Sequence, residues 1–325
     1  MIMHSLLLKI IRFIDTDKRL VLVKLRYVLA IMVLGLTNPA NVIHAQNLEP
    51  RTYSNTPIGM NFLLVGYQNS RGGLLFDPSL PITDANADVD MGFLGYVHSL
   101  GVAGQSAKVG VLLPYAKMFA DGYVADTYRT RKDTGLADPT LLFSMNLYGA
   151  PALGLKEYKN YKQDTVIGMT FKLTAPLGEY DADKLINIGT NRWSLQSELG
   201  LTKAIGPWSL EVAAAAVFYT DNDDFDDGKT RHQDPIYSMQ GHVLYSFKNH
   251  IWAAFGATYY AGGRTEVDGV TNNDLQQNWR TGFTVALPID RHNSIKLFGN
   301  SGVSTRTGTD YDSLGIAWQY RWGGR

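Results

Sequence analysis

Along most of this chain, apolar positions alternate with polar or small ones, in stretches of about ten residues separated by turn-rich segments. The clearest stretch is the last, Ser313–Trp322. Leu314, Ile316, Trp318, Tyr320 and Trp322 share one face of an extended strand there, and Ser313, Gly315, Ala317, Gln319 and Arg321 share the other. Successive strand side chains point to opposite faces, so this element has one greasy and one polar side. The same period predicts strands over Ile58–Tyr67, Asp88–His98, Lys108–Lys117, Pro139–Tyr148, Thr165–Ala175 and Asn191–Lys203. It predicts others over Trp208–Thr220, Ile236–Phe247, Ile251–Tyr260, Trp279–Leu287 and Ser294–Ser304. On the first, Met60, Phe62 and Leu64 are expected to point outward. Both faces of Ile251–Tyr260 are apolar, so the pattern leaves that strand without a direction.

The connections alternate too. Long segments (68–87, 118–138, 221–235, 261–278) exchange with short ones (99–107, 204–207, 248–250, 288–293), and 149–164 is the exception, long where a short turn is due. Short periplasmic turns opposite longer extracellular loops, on an even number of strands, characterise bacterial outer-membrane barrels. The expected fold is therefore all-β: an antiparallel transmembrane β-barrel of about twelve strands, outward faces on lipid and aromatics at the interfaces. The end of the chain resembles the C-terminal assembly signal of such proteins, except that Gly323-Gly324-Arg325 follow the last aromatic.

The front of the chain belongs to a different element. Lys24 and Arg26 precede the apolar run Val28–Leu36, then Asn38-Pro39 and Ala45 follow. A basic segment, a short apolar core and a small residue at the cut describe a secretory signal peptide over residues 1–45. Residues 46–57 are then a polar periplasmic segment and 58–325 the barrel. Cleavage takes away six of the 30 Lys/Arg and two of the 30 Asp/Glu, leaving a net charge of −4. Nothing in that balance suggests a nucleic-acid partner. There is no cysteine, hence no disulfide framework and no thiolate chemistry.

Ionisable residues on the predicted inward faces are Asp90, Lys108, Lys172, Arg192, Glu198, Glu211, His242, Arg280, Lys296 and Arg321. Charge at membrane depth is costly unless it faces a polar lumen and finds partners, so these are lumen-facing candidates. They serve either as ion pairs that stiffen the barrel or as a charged pore wall. Asp221–Gly228 is the densest acidic run, but it lacks the spacing and closing Glu of a calcium loop and reads as a solvated extracellular loop. No catalytic motif is present, and no cofactor or metal is expected. His242 and Ser238 share a face four residues apart, roughly 13 Å, too far for direct contact.

Several strings resemble the outer-membrane transporter family of the meta pathway of phenol degradation. They are Leu48-Glu49-Pro50-Arg51 with Tyr53-Ser54-Asn55, Gly149-Ala150-Pro151-Ala152-Leu153, Ala175-Pro176-Leu177-Gly178-Glu179-Tyr180, Gly262-Gly263-Arg264-Thr265 and, most specifically, Asn187-Ile188-Gly189-Thr190-Asn191-Arg192-Trp193. The resemblance implies a barrel in the outer membrane that passes aromatic or other small hydrophobic compounds without a cofactor. Expected partners are outer-membrane lipid and lipopolysaccharide, the barrel-assembly machinery and small hydrophobic solutes. An outer-membrane enzyme acting on lipid, and a structural or adhesive barrel with a filled lumen, are the competing expectations.

Overall fold

Twelve strands form one closed antiparallel sheet in a computed structural model that describes residues 49–76, 82–309 and 311–324. They are β1 Met60–Leu75, β2 Ile82–Val102, β3 Gln105–Val124, β4 Thr140–Tyr148, β5 Thr165–Thr174 and β6 Ser194–Ile205. β7 Trp208–Tyr219, β8 Ile236–Ser246, β9 Trp252–Gly262, β10 Gln276–Pro288, β11 Asn293–Ser304 and β12 Asp312–Gly323 complete it. Each pairs with the next, and β12 returns to β1 in a register running from Met60 opposite Gly323 to Arg71 opposite Asp312. Closure leaves no unpaired edge, the condition a sheet must meet to stand in hydrocarbon. Among the described residues no helix is long and apolar enough to cross a membrane, so the crossing falls to strands. The proposed signal-peptide segment, residues 1–45, lies outside the described residues.

A strand needs about 9–11 residues to span a bilayer. β2 and β3, with 21 and 20 residues, project well beyond one on the long-loop side. There β3 pairs with a further strand, Thr127–Leu136, before the chain turns back down as β4. Asn222–Phe225, Lys229–Gln233, Thr265–Val267 and Val270–Thr271 build a separate four-stranded sheet on the same side. The acidic run thus becomes a hairpin of this sheet: Lys229 pairs with Asp226 at 2.6 Å, and His232 bonds Asp221 at 2.7 Å. No grouping of acidic and histidine side chains among the described residues could hold a metal ion.

The outer wall carries the apolar faces. Leu141, Leu199, Val212, Met239, Phe255, Phe283 and Ile316 are all exposed where lipid would cover them. Aromatics gather at both ends of this belt. Trp208, Tyr245 and Phe247 pack edge to face on the short-turn side, as Trp318, Tyr320 and Trp322 stack there on β12. Tyr259 and Trp279 meet on the long-loop side, 5.0 Å between ring centroids. β9, without a direction in sequence, turns Ala254, Thr258 and Tyr260 inward and Phe255 outward.

Two face assignments are corrected. On β1, Val65 and Tyr67 are exposed while Met60, Gln68 and Ser70 are buried, so Leu64 points inward, opposite to the sequence expectation. On β2, Leu94 and Tyr96 are exposed, which puts Asp90 on the outer face. Asp90 accepts from the Tyr67 hydroxyl and, at 2.9 Å, from Asn69, next to the Arg71–Asp88 ion pair at 2.8 Å. Charge on an outer face is costly within hydrocarbon, so this polar cluster marks a level beyond the apolar belt. A one-residue error in register exchanges every side chain between faces. Single cysteines test the corrected register in a chain that has none. Leu64→Cys should react with a water-soluble maleimide and Val65→Cys with a lipid-soluble one. The reverse pattern would restore the first assignment.

Candidate functional site: the lumen and its strap

Residues 49–57 do not lie free in the periplasm, as their polarity suggested. They enter the barrel from the short-turn side and lie along its inner wall. The Tyr53 ring sits flat over Gly168 and Gly200, a directly opposed pair on β5 and β6, where any Cβ would overlap the ring. Its hydroxyl donates to the Glu198 carboxylate at 2.7 Å. Burial and then the Glu198 charge push the Tyr53 phenol far above its ordinary range, so it stays protonated and donating. The Arg51 amide donates to Glu211 at 2.9 Å, and its guanidinium donates to the Ser246 hydroxyl at 2.6 Å while lying 4.8 Å over the Trp252 ring. Lys108 donates to the carbonyls of Thr52 and Ser54 at 3.0 and 3.3 Å.

The long turn 149–164 explains its own length here. Its short helix α1, Leu155–Tyr158, brings the Tyr158 hydroxyl to the Asn55 carbonyl at 2.9 Å. Gln163 accepts from the Asn55 amide at 3.1 Å, and the Pro151 carbonyl accepts from the Asn55 side chain at 3.2 Å. The one turn that breaks the alternation of loop lengths is the clamp that holds the strap.

Above the strap the lumen encloses a cavity of about 330 Å³, at the small end for ligand pockets. Its lining is divided. Leu64, Met91, Phe93, Val97, Leu112 and Leu142 from β1–β4 form an apolar side. Lys172 and Gln196 from β5 and β6, with Lys296 and Asn300 from β11, bring polar groups. Strands β5 and β11 are six apart in a ring of twelve, so the two lysines come from opposite walls. Between them stands Glu49, 3.8 Å from the Lys172 ammonium. Its side chain keeps 52% of its surface open to the cavity, although barrel wall surrounds it. That confinement alone would raise its pKa, but Lys172, Lys296 and Lys108 outweigh it and hold the carboxyl below its ordinary range. A second cavity of about 510 Å³ lies under the extracellular loops, floored by Phe76, Ile82 and Ile186 and rimmed by Arg131 and Lys184.

The remaining candidates take separate places. Glu198 accepts from Gln240 at 3.0 Å besides Tyr53. Glu211 also accepts from Thr202 at 3.3 Å and faces His242 at 3.8 Å. Arg192, near the extracellular end, lies 4.3 Å over the Tyr219 ring and donates to Gln233; its Nη1 has no hydrogen-bond partner among the described residues. Arg280 is buried, donating to Asn300 and to the Tyr311 carbonyl. Arg321 lies at the periplasmic rim, where its Nε donates to the Arg291 carbonyl at 2.7 Å, and it does not enter the cavity. The sequence reading missed Glu49, Arg51 and Tyr53. The facing glycines of β5 and β6, and the overlong turn, were the signals that could have found them.

A closed barrel of twelve strands with an apolar belt, two aromatic girdles and a polar, partly filled lumen defines a bacterial outer-membrane β-barrel. The chain belongs to the family described as MetA-pathway of phenol degradation, which matches residues 70–320. Its fold is similar to the crystal structure of an outer membrane channel from Pseudomonas putida F1, with 22% identity, a TM-score of 0.73, and 85% of this chain and 100% of that one covered. The transport unit of the autotransporter AIDA-I from Escherichia coli matches at 10% identity and a TM-score of 0.48, covering 86% of this chain and 94% of that one. No curated protein matches this chain in sequence.

Proposed function

We propose that the protein is a passive outer-membrane channel for small solutes with an aromatic or otherwise apolar body. In this reading residues 1–45 are a signal peptide removed after Ala45, the barrel is inserted by the assembly machinery, and its outer surface meets lipid and lipopolysaccharide. The observation that carries the reading is the divided cavity: an apolar inner wall inside a barrel serves no packing need that small residues could not meet. The family description, naming phenol degradation, and the channel from Pseudomonas putida point the same way. Passage in this reading is diffusion past the strap.

One observation favours a filled barrel instead, namely the strap itself. Conductance decides between the two. The purified barrel in planar bilayers should carry current, and Arg192→Glu should shift its selectivity toward cations while slowing benzoate more than phenol. The expectation follows from position: Arg192 precedes Ser194 and Gln196, which line the cavity, on the way in from outside. If neither the full barrel nor one lacking residues 46–57 conducts, the filled-barrel reading prevails. His242 lies in the lumen against Glu211, away from the lipid an enzyme on phospholipid would have to reach. Release of fatty acid from phospholipid, abolished by His242→Ala, would overturn that argument.

A further inference from the structure

The strap places a carboxylate inside the cavity, and its surroundings match what a solute carboxylate would need. Among the described residues Glu49 is the one acidic side chain lining that space, and Lys172 and Lys296 line it from opposite walls. Among the described residues neither lysine pairs with a carboxylate of the barrel wall. Lys172 meets Glu49 at the loose distance of 3.8 Å, and Lys296 lies 5.7 Å from the Phe298 ring. A structural ion pair is normally closer and better fitted, since charge-assisted hydrogen bonds run at about 2.7–2.9 Å. Glu49 is thus a loosely held carboxylate, paired with Lys172 and within the field of Lys296, in a cavity whose other side is apolar.

We infer that the lumen cavity is a binding site for a small carboxylate with an apolar ring or chain, held between Lys172 and Lys296 against Met91 and Phe93, and that Glu49 stands in for the solute's carboxylate when the cavity is empty. This deepens the channel reading by naming the solute class. An arriving carboxylate takes the place of Glu49 beside Lys172 and Lys296, while its apolar body lies against the apolar side of the cavity. The ligand and the first residues of the strap therefore compete for one position. Competition of this kind is a coupling free energy, and its effect is reciprocal: the solute loosens the strap as much as the strap weakens the solute.

The test compares an anion with its neutral analogue. Binding of 1-naphthoate and of 1-naphthol to the folded barrel in neutral detergent is measured by equilibrium dialysis, with heat-modifiable gel mobility showing that every variant is folded. Glu49→Gln removes the competitor and should tighten 1-naphthoate by about fivefold or more, the usual lower bound for coupled sites, while 1-naphthol stays within about twofold. Lys172→Met combined with Lys296→Met should weaken 1-naphthoate by about tenfold or more, from the loss of charged hydrogen bonds, and should leave 1-naphthol in place. Unchanged 1-naphthoate affinity in Glu49→Gln, or parallel losses of both compounds in the lysine variant, overturns the inference. Conductance separates the two readings. Naphthoate binding as stated in a barrel that carries no current keeps the site and removes the channel. Current without any dependence of binding on Glu49 and the lysines does the reverse.

Discussion

Replacing Gly200 with leucine should open the lumen without unfolding the barrel. The Tyr53 ring lies against the bare backbone of Gly200 and Gly168, and a side chain at either position would occupy the space of the ring. The ring cannot slide aside, because its hydroxyl is tied to Glu198 at 2.7 Å and the Lys108 ammonium holds the carbonyls of Thr52 and Ser54 on either side of Tyr53. Overpacking a fitted contact costs about 1–3 kcal/mol, and a shift of that size changes the ratio of seated to released strap by about 5–150-fold. The leucine itself meets a lumen, so once the strap has left nothing opposes it. Bilayer conductance of Gly200→Leu should rise toward that of the barrel lacking residues 46–57, with unchanged heat-modifiable mobility. Tyr53→Phe keeps the ring and loses one charge-assisted hydrogen bond, about 1.5–3 kcal/mol, so it should open the barrel only partly. If deleting the strap raises conductance while Gly200→Leu leaves it at the wild-type level, the ring slot is not what holds the strap.

The same contact shows why part of this molecule could be read from its sequence and part could not. On β6, Leu195 and Leu199 alternate with Gln196 and Glu198, so one face is apolar and its direction follows. The β-barrel, its strand count and the direction of most strands rest on alternation of this kind. On β1 and β2 the rule loses its sign, because Leu64, Met91 and Phe93 face a cavity that is itself apolar on that side. There the useful cues were Gln68 and Ser70, which are buried. Asp90 was misplaced for a related reason: it sits where the outer surface is already polar, with Asn69, Arg71 and Asp88 around it. The strap carries no period, since a segment lying along a lumen wall is held by single contacts and has no two faces to distinguish. It left its mark in the wall as glycines where the chain needs no turn.

Placing aspartate at both Trp318 and Tyr320 should keep the protein out of the membrane, an effect larger than the energetics of the folded state account for. β12 closes the barrel between β11 and β1, with Trp318, Tyr320 and Trp322 stacked on its outer face and the Trp318 indole donating to Asn293 at 3.0 Å. Tyr320 is opposite Asn293, the first residue of β11, which places the pair at the short-turn rim of the belt. Charge near an interface costs about 0–1 kcal/mol per site, and each lost aromatic pair about 0.5–1.5 kcal/mol. Together these are within the 5–15 kcal/mol or so by which folded domains are stable, so a barrel that formed would persist. Complete loss of the heat-modifiable form from outer-membrane fractions would therefore report failed assembly, with β12 as the strand that the insertion step reads. The control is a matching pair of changes at the short-turn end of β8, Tyr245→Asp on the strand and Phe247→Asp just beyond it, at another part of the same girdle. That variant should insert and melt at a lower temperature. If the β12 variant inserts as the β8 variant does, the C-terminal strand is an ordinary wall strand and the signal lies elsewhere in the chain.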